Sequence, residues 1–150
     1  MSKTFRDTAP SITKTQLIDA GSADGRRKMF LAGATEIMLS VRKPGVASNL
    51  TGQFILAFHA TELALKAFLS KHGVSKKSLR KHYNHDLVKL YAEAKIKGLV
   101  LKTPHSAEYI EWMNDFHKDG SIRYVFAEDR TLPLCENLVP VIDEIINASG

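Results

Sequence analysis

The sequence predicts an all-α fold, a four- to five-helix up-and-down antiparallel bundle, and three observations carry that prediction. Apolar residues recur at helical spacing in almost every periodic segment; no stretch alternates apolar and polar residues long enough to compete as a strand; and the links between periodic segments are mostly short. With 150 residues, 44% hydrophobic and 25% charged, the chain has the length and composition of one soluble globular domain. Neither an internal repeat nor a second domain is visible. The expected organisation is a loosely ordered arm over residues 1–22 and one helical domain over residues 23–150.

Pro10 and Gly21 break up the arm, which leaves room for a short turn of helix around Thr13 to Ala20. The first main helix is expected from near Asp24 to near Arg42, capped by Asp24 and stopped by Pro44-Gly45. Phe30, Ala34, Ile37 and Val41 form its buried face. The second helix carries the strongest pattern. Ser48 or Asn49 caps it, Gly73 closes it after His72, and Phe54, Phe58, Leu65, Phe68 and Leu69 form its stripe. At 1.5 Å per residue it is a rod of roughly 35 Å, long enough to be the spine of a bundle.

A Lys- and Ser-rich connector follows from Val74 to Asn84. A shorter helix is expected from about His85 to Lys97, ending at Gly98, with Leu87, Leu90, Tyr91 and Ala94 inward. Thr103-Pro104 reads as a cap followed by proline in the first turn, opening a helix to about Lys118. On that helix Tyr109, Trp112, Met113 and Phe116 share one face, suited to the core or to a dimer seam and less to base stacking. After an irregular stretch from Ser121 to Thr131, a last helix begins near Pro133 and carries Leu134, Leu138, Ile142 and Ile145 inward. Pro140 inside it removes a backbone bond, and should bend the helix or delay its start.

Charge is unevenly distributed. The chain as a whole carries +5, but residues 1–48 carry +4, residues 49–105 carry ten basic and three acidic groups for +7, and residues 106–150 carry three and nine for −6. A basic middle allows a nucleic-acid partner, and an acidic end could cover it or pair with it in a dimer. The lone Cys135 excludes an intrachain disulfide and a cysteine zinc cluster, as is usual in the cytoplasm. No apolar run reaches the length of a membrane span, and no apolar signal core is present at the N-terminus, so a cytoplasmic protein without a membrane partner is expected. Ser-His-Asp hydrolysis, phosphate-binding glycine loops and nicotinamide sites have no signature.

Two polar groupings stand out. His59, Glu62 and Lys66 fall at i, i+3 and i+7 of the long helix, and Glu62 and Lys66 form an i, i+4 pair in the favourable order. On an exposed face that pair does little more than steady the helix; in a groove it could fix a ligand or a neighbouring helix. Arg80-Lys-His-Tyr-Asn-His85 sets a permanently charged guanidinium ahead of a histidine at a helix start. Such groups can neutralise a phosphate and move the proton of a 2′-hydroxyl or leaving oxygen without a metal. Metal readings from His82-x-x-His85 with Asp86, or from His59-x-x-Glu62, lack a matching ligand pair on a second helix, so no metal or cofactor is expected.

Glu62-Leu-Ala-Leu-Lys66-Ala-Phe-Leu, a basic connector and then His85-Asp86-Leu87-x-x-Leu90 together resemble the HEPN superfamily of small helical domains. The resemblance covers about residues 54 to 98. It implies a four- or five-helix bundle, commonly a homodimer, that binds nucleotide or RNA and often belongs to toxin-antitoxin or defence loci. Many members are metal-independent endoribonucleases marked by Arg, four to six residues, then His, usually with a polar residue such as Asn, Asp or His directly after the Arg. Arg80 and His85 fit that spacing, but Lys81 follows the Arg, and Arg123, placed later in the chain, has no histidine after it. The expectation is therefore a non-catalytic module with Glu62, Lys66, Lys81, His82 and Asp86 around a nucleotide or RNA phosphate. It would act as a homodimer or with a nucleotidyltransferase-like or antitoxin partner. The alternatives are an endoribonuclease using Arg80 and His85, and a purely structural protein–protein interaction module.

Overall fold

The computed structural model describes residues 21–42, 50–121 and 133–150, and every regular element among them is helical. In order these are α1 (Ala23–Val41), α2 (Leu50–Lys71), the single turn α3 (Lys76–Ser78), a π-helical turn (Leu79–Tyr83), α4 (Leu87–Ile96), α5 (Ser106–His117) and α6 (Cys135–Ser149). Residues 1–20 of the arm, the 43–49 link with its expected stop and caps, and residues 122–132 with Arg123 lie outside the described residues.

α2 is the spine: α1, α4, α5 and α6 all pack against it, while α4 also meets α5 and α1 meets α6. The reason is in its composition. Phe54, Phe58, Leu65, Phe68 and Leu69 are buried as the periodicity predicts, and Ala57, Ala60, Ala64 and Ala67 are buried between them. Small side chains on the remaining faces let neighbours approach from several directions. Gly33 of α1 comes so close that a Cβ there would lie 3.0 Å from the Leu63 side chain. Each fully buried Phe or Leu contributes about 1.5–3 kcal/mol, so this helix carries much of the core.

Several boundaries differ from the sequence expectation, each for a local reason. The cap of α1 is Ser22, whose hydroxyl accepts from the Gly25 N–H at 2.9 Å; Asp24 sits in the first turn and pairs with Arg27 and Lys28. Ala34 and Val41 are buried as expected, with Met38 fully buried between them. The connector after α2 is helical. Ser75 caps α3, and the buried Leu79 then anchors a π-turn that closes with the Asn84 N–H on the Leu79 carbonyl at 2.9 Å. Asn84 ends the turn at φ 44°. α4 starts at Leu87 because Asp86 is its cap, accepting from the Lys89 N–H.

Thr103-Pro104 does not open α5, which begins at Ser106 after His105 at φ 63°. The Thr103 N–H and hydroxyl and the Lys102 N–H donate instead to the Glu144 carboxylate of α6, tying this loop to the last helix. Leu134 is exposed and precedes α6, whose buried face is Leu138, Val141, Ile142 and Ile145. Pro140 lies within α6 rather than delaying it. Both α2 and α4 end at a left-handed glycine, Gly73 and Gly98. In each case the following N–H, of Val74 or Leu99, reaches back to the carbonyl five residues earlier.

Candidate functional site

The centre of the site is a carboxylate inside the helical core. Glu62 is 2% exposed, on the side of α2 that faces α4 and α5. Its Oε1 accepts from Lys66 Nζ at 2.6 Å and from His85 Nδ1 at 2.9 Å, and its Oε2 accepts from His117 Nε2 at 2.7 Å. Burial alone would raise the Glu62 carboxyl, but the hydrogen bonds from His117, Lys66 and His85 and the Lys66 charge overcome it and hold the group at about 2. Glu62 is therefore ionised throughout the ordinary pH range.

An ionised carboxylate can only accept, so each imidazole nitrogen facing it carries a hydrogen. The remaining nitrogens, His85 Nε2 and His117 Nδ1, point away from the carboxylate. The two rings stand perpendicular with centroids 6.2 Å apart. His85 has a 57% exposed side chain and presents its outer edge to solvent, whereas His117 is 15% exposed and also packs edge-on against Phe58.

The geometry of His85 is set by its neighbours. Asp86 caps α4, and Asn114 of α5 crosses to the same point: its Oδ1 accepts from the Leu87 N–H at 2.7 Å and its Nδ2 donates to Asp86 Oδ1 at 3.2 Å. Asn114 thus satisfies one of the free N–H groups at the start of α4 and locks α4 to α5. One turn later on α5, His117 reaches Glu62. The aromatic residues of α5 belong to the core, since Trp112 packs against Phe54, Phe58 and Phe116 at centroid distances of 5.2–5.6 Å.

Outside the carboxylate lies an open cleft of about 270 Å³ between the π-turn, the start of α4 and the end of α5, bordered by Lys81, His82, His85, Asp86, Lys89 and Lys118. Three ammonium groups border it. The Asp86 carboxylate is turned into the α4 cap, so the cleft is cationic. A second, broader depression is formed by Lys76, Lys77, Arg80 and Lys81.

Of the residues singled out from the sequence, Glu62, Lys66 and His85 are thus in contact, and Lys81, His82 and Asp86 border the cleft beside them. Arg80 belongs to the neighbouring depression, and His59 is exposed on α2. The sequence reading missed His117 and Asn114, together with Lys89 and Lys118 of the cleft. A signal existed: Ile110, Met113, Asn114 and His117 follow i, i+3, i+4 and i+7, so two polar residues occupy a face whose other members are buried. No family model, curated protein or solved structure matches this chain.

Proposed function

We propose that the protein is a HEPN-like helical bundle domain that holds a phosphate of RNA or of a nucleotide in the cleft bordered by Lys81, Lys89 and Lys118, without cleaving it. The observation that carries this reading is the internal neutralisation of Glu62. The buried negative charge is saturated by Lys66, His85 and His117, and among the described residues the cleft outside it is bordered by three lysines and one carboxylate, Asp86, which is engaged by the α4 cap and Asn114. Glu62 and Lys66, expected from the sequence to touch the ligand, become positioning residues. The cleft lysines and His82 supply the contacts, and the Lys76, Lys77 and Arg80 depression extends the basic track through the shared Lys81. In the same proposal the domain acts as a homodimer or with a second protein; a monomer in light scattering at tens of micromolar would remove the homodimer.

One observation favours a second reading, RNA cleavage. A carboxylate that fixes Nδ1 of a histidine and turns Nε2 outward prepares that ring for proton transfer. In this reading His85 is the acid or base and a cationic side chain, Arg80 or a cleft lysine, neutralises the phosphate. Incubation with labelled single-stranded RNA in EDTA separates the two. Salt-sensitive binding with the RNA left intact is expected. Cleavage lost in His85→Ala would establish the second reading, and no binding below about 100 μM at low salt would leave only a protein–protein interaction module.

A further inference from the structure

The Glu62 cluster has a property that neither phosphate binding nor proton transfer requires. One oxygen of Glu62, one ring nitrogen of His85 and one of His117 all lie within 4.8 Å of one another, supplied by α2, the residue before the α4 cap and the last residue of α5. Two imidazoles and one carboxylate on separate elements form a three-donor face, and the exposed edge at His85 leaves the remaining positions open to water.

We propose that this cluster is a binding site for a divalent first-row transition metal of the zinc class. Imidazole nitrogen with a single carboxylate suits zinc, cobalt or nickel, whereas calcium and magnesium call for more oxygen donors than the cluster offers. Donors on an ion at about 2.0–2.2 Å stand roughly 3.0–3.4 Å apart, so the 2.7 Å contact between His117 Nε2 and Glu62 Oε2 must open by only a few tenths of an ångström, and the exposed His85 ring, within 4.8 Å of the other donors, closes on the ion. Each neutral ring ligates by carrying its hydrogen on the outer nitrogen, a change of tautomer with no net loss of a proton. Glu62 Oε2 then serves the metal while Oε1 keeps Lys66. The core around α2 and the Asn114 link already hold the three elements in place, so the ion meets a preformed face.

Lys66 makes the proposal specific. Its ammonium sits 2.6 Å from Glu62 Oε1, where it repels an incoming cation. Removing that charge should tighten metal binding while loosening the apo fold, opposite directions that a general loss of structure cannot produce. This inference does not depend on the phosphate reading, which is tested in EDTA.

The experiment is titration of the tag-free full chain with Zn²⁺ against a chromophoric chelator, with Co²⁺ absorption reporting the coordination. One-to-one binding below about 100 μM is expected, weakened at least tenfold by His85→Ala and by His117→Ala, unchanged by His59→Ala and His82→Ala, and tightened several-fold by Lys66→Met. His85 is exposed, so its variant tests the site even if His117→Ala unfolds. Absence of saturable binding, wild-type affinity in His85→Ala, loss confined to His82→Ala, or no tightening in a folded Lys66→Met would each overturn the proposal.

Discussion

Replacing Glu62 by Gln removes the charge but little volume, so the effect reads the electrostatics of the cluster directly. The carboxyl falls from its ordinary 4.5 to about 2 in the folded protein. At about 1.4 kcal/mol per pH unit, that difference corresponds to about 3 kcal/mol of stability at neutral pH. The sign follows from the depressed value. The contribution is complete above pH 4.5, where the unfolded chain is also ionised, and is lost as pH falls toward 2. By the same linkage about 1–1.5 kcal/mol remains at pH 3. The side chain is 3% exposed, so solvent screening takes little from this figure. Urea unfolding of wild type and Glu62→Gln, both in EDTA, should therefore differ by about 3 kcal/mol at pH 7 and by less than half of that at pH 3. A difference below about 1 kcal/mol at pH 7, or one that does not change with pH, would refute the assignment of Glu62 as an ionised hub.

Three further outcomes are expected. Asn114→Ala leaves the Leu87 N–H without its acceptor and should cost about 1–3 kcal/mol in thermal or urea unfolding, with broadened His85 ring resonances as the α4 start loosens. Trp112→Ala removes the contacts to Phe54, Phe58 and Phe116 and should destabilise by about 3 kcal/mol, with no change in oligomeric state by light scattering, because the ring serves the core. Gly98→Ala places a side chain at φ 103° with no atom within 4 Å of the new Cβ, so a loss of about 1–2 kcal/mol in denaturant unfolding measures backbone strain alone.

The sequence foretold the spine and three members of the hub but missed His117 and the Asn114 that steadies it, for physical reasons that particular residues show. Periodicity located α2 and its buried stripe because five large apolar residues at helical spacing have one stable solution, burial against neighbouring helices. It located α4 and α5 to within one or two residues, and the shifts trace to side chains acting at a distance. Thr103 has a cap-like composition, but Glu144 of α6, 41 residues away, takes its N–H and hydroxyl. Asp24 looks like a cap, but Arg27 and Lys28 are within reach and Ser22 occupies the position itself. Glu62 and Lys66 were legible as an i, i+4 pair, whereas their burial was not, since it depends on which helix covers that side. Spacing along α5 puts His117 and Asn114 on a buried face, but it does not name their partners: Glu62 lies 55 residues before His117, and the Asn114 hydrogen bonds join two helices that the sequence cannot orient. Clusters built from one residue per element leave no local pattern; only the packing assembles them.

The cleft itself is tested most directly by an amide chemical-shift map of the protein titrated with a short single-stranded RNA at low salt in EDTA. Perturbations concentrated at Lys81 to Lys89 and at Lys118, fading as salt is raised and absent in the Lys81→Ala/Lys89→Ala/Lys118→Ala variant, are the predicted result. Perturbations centred away from those residues, or unchanged in the triple variant, would contradict the placement of a phosphate site beside Glu62, His85 and His117.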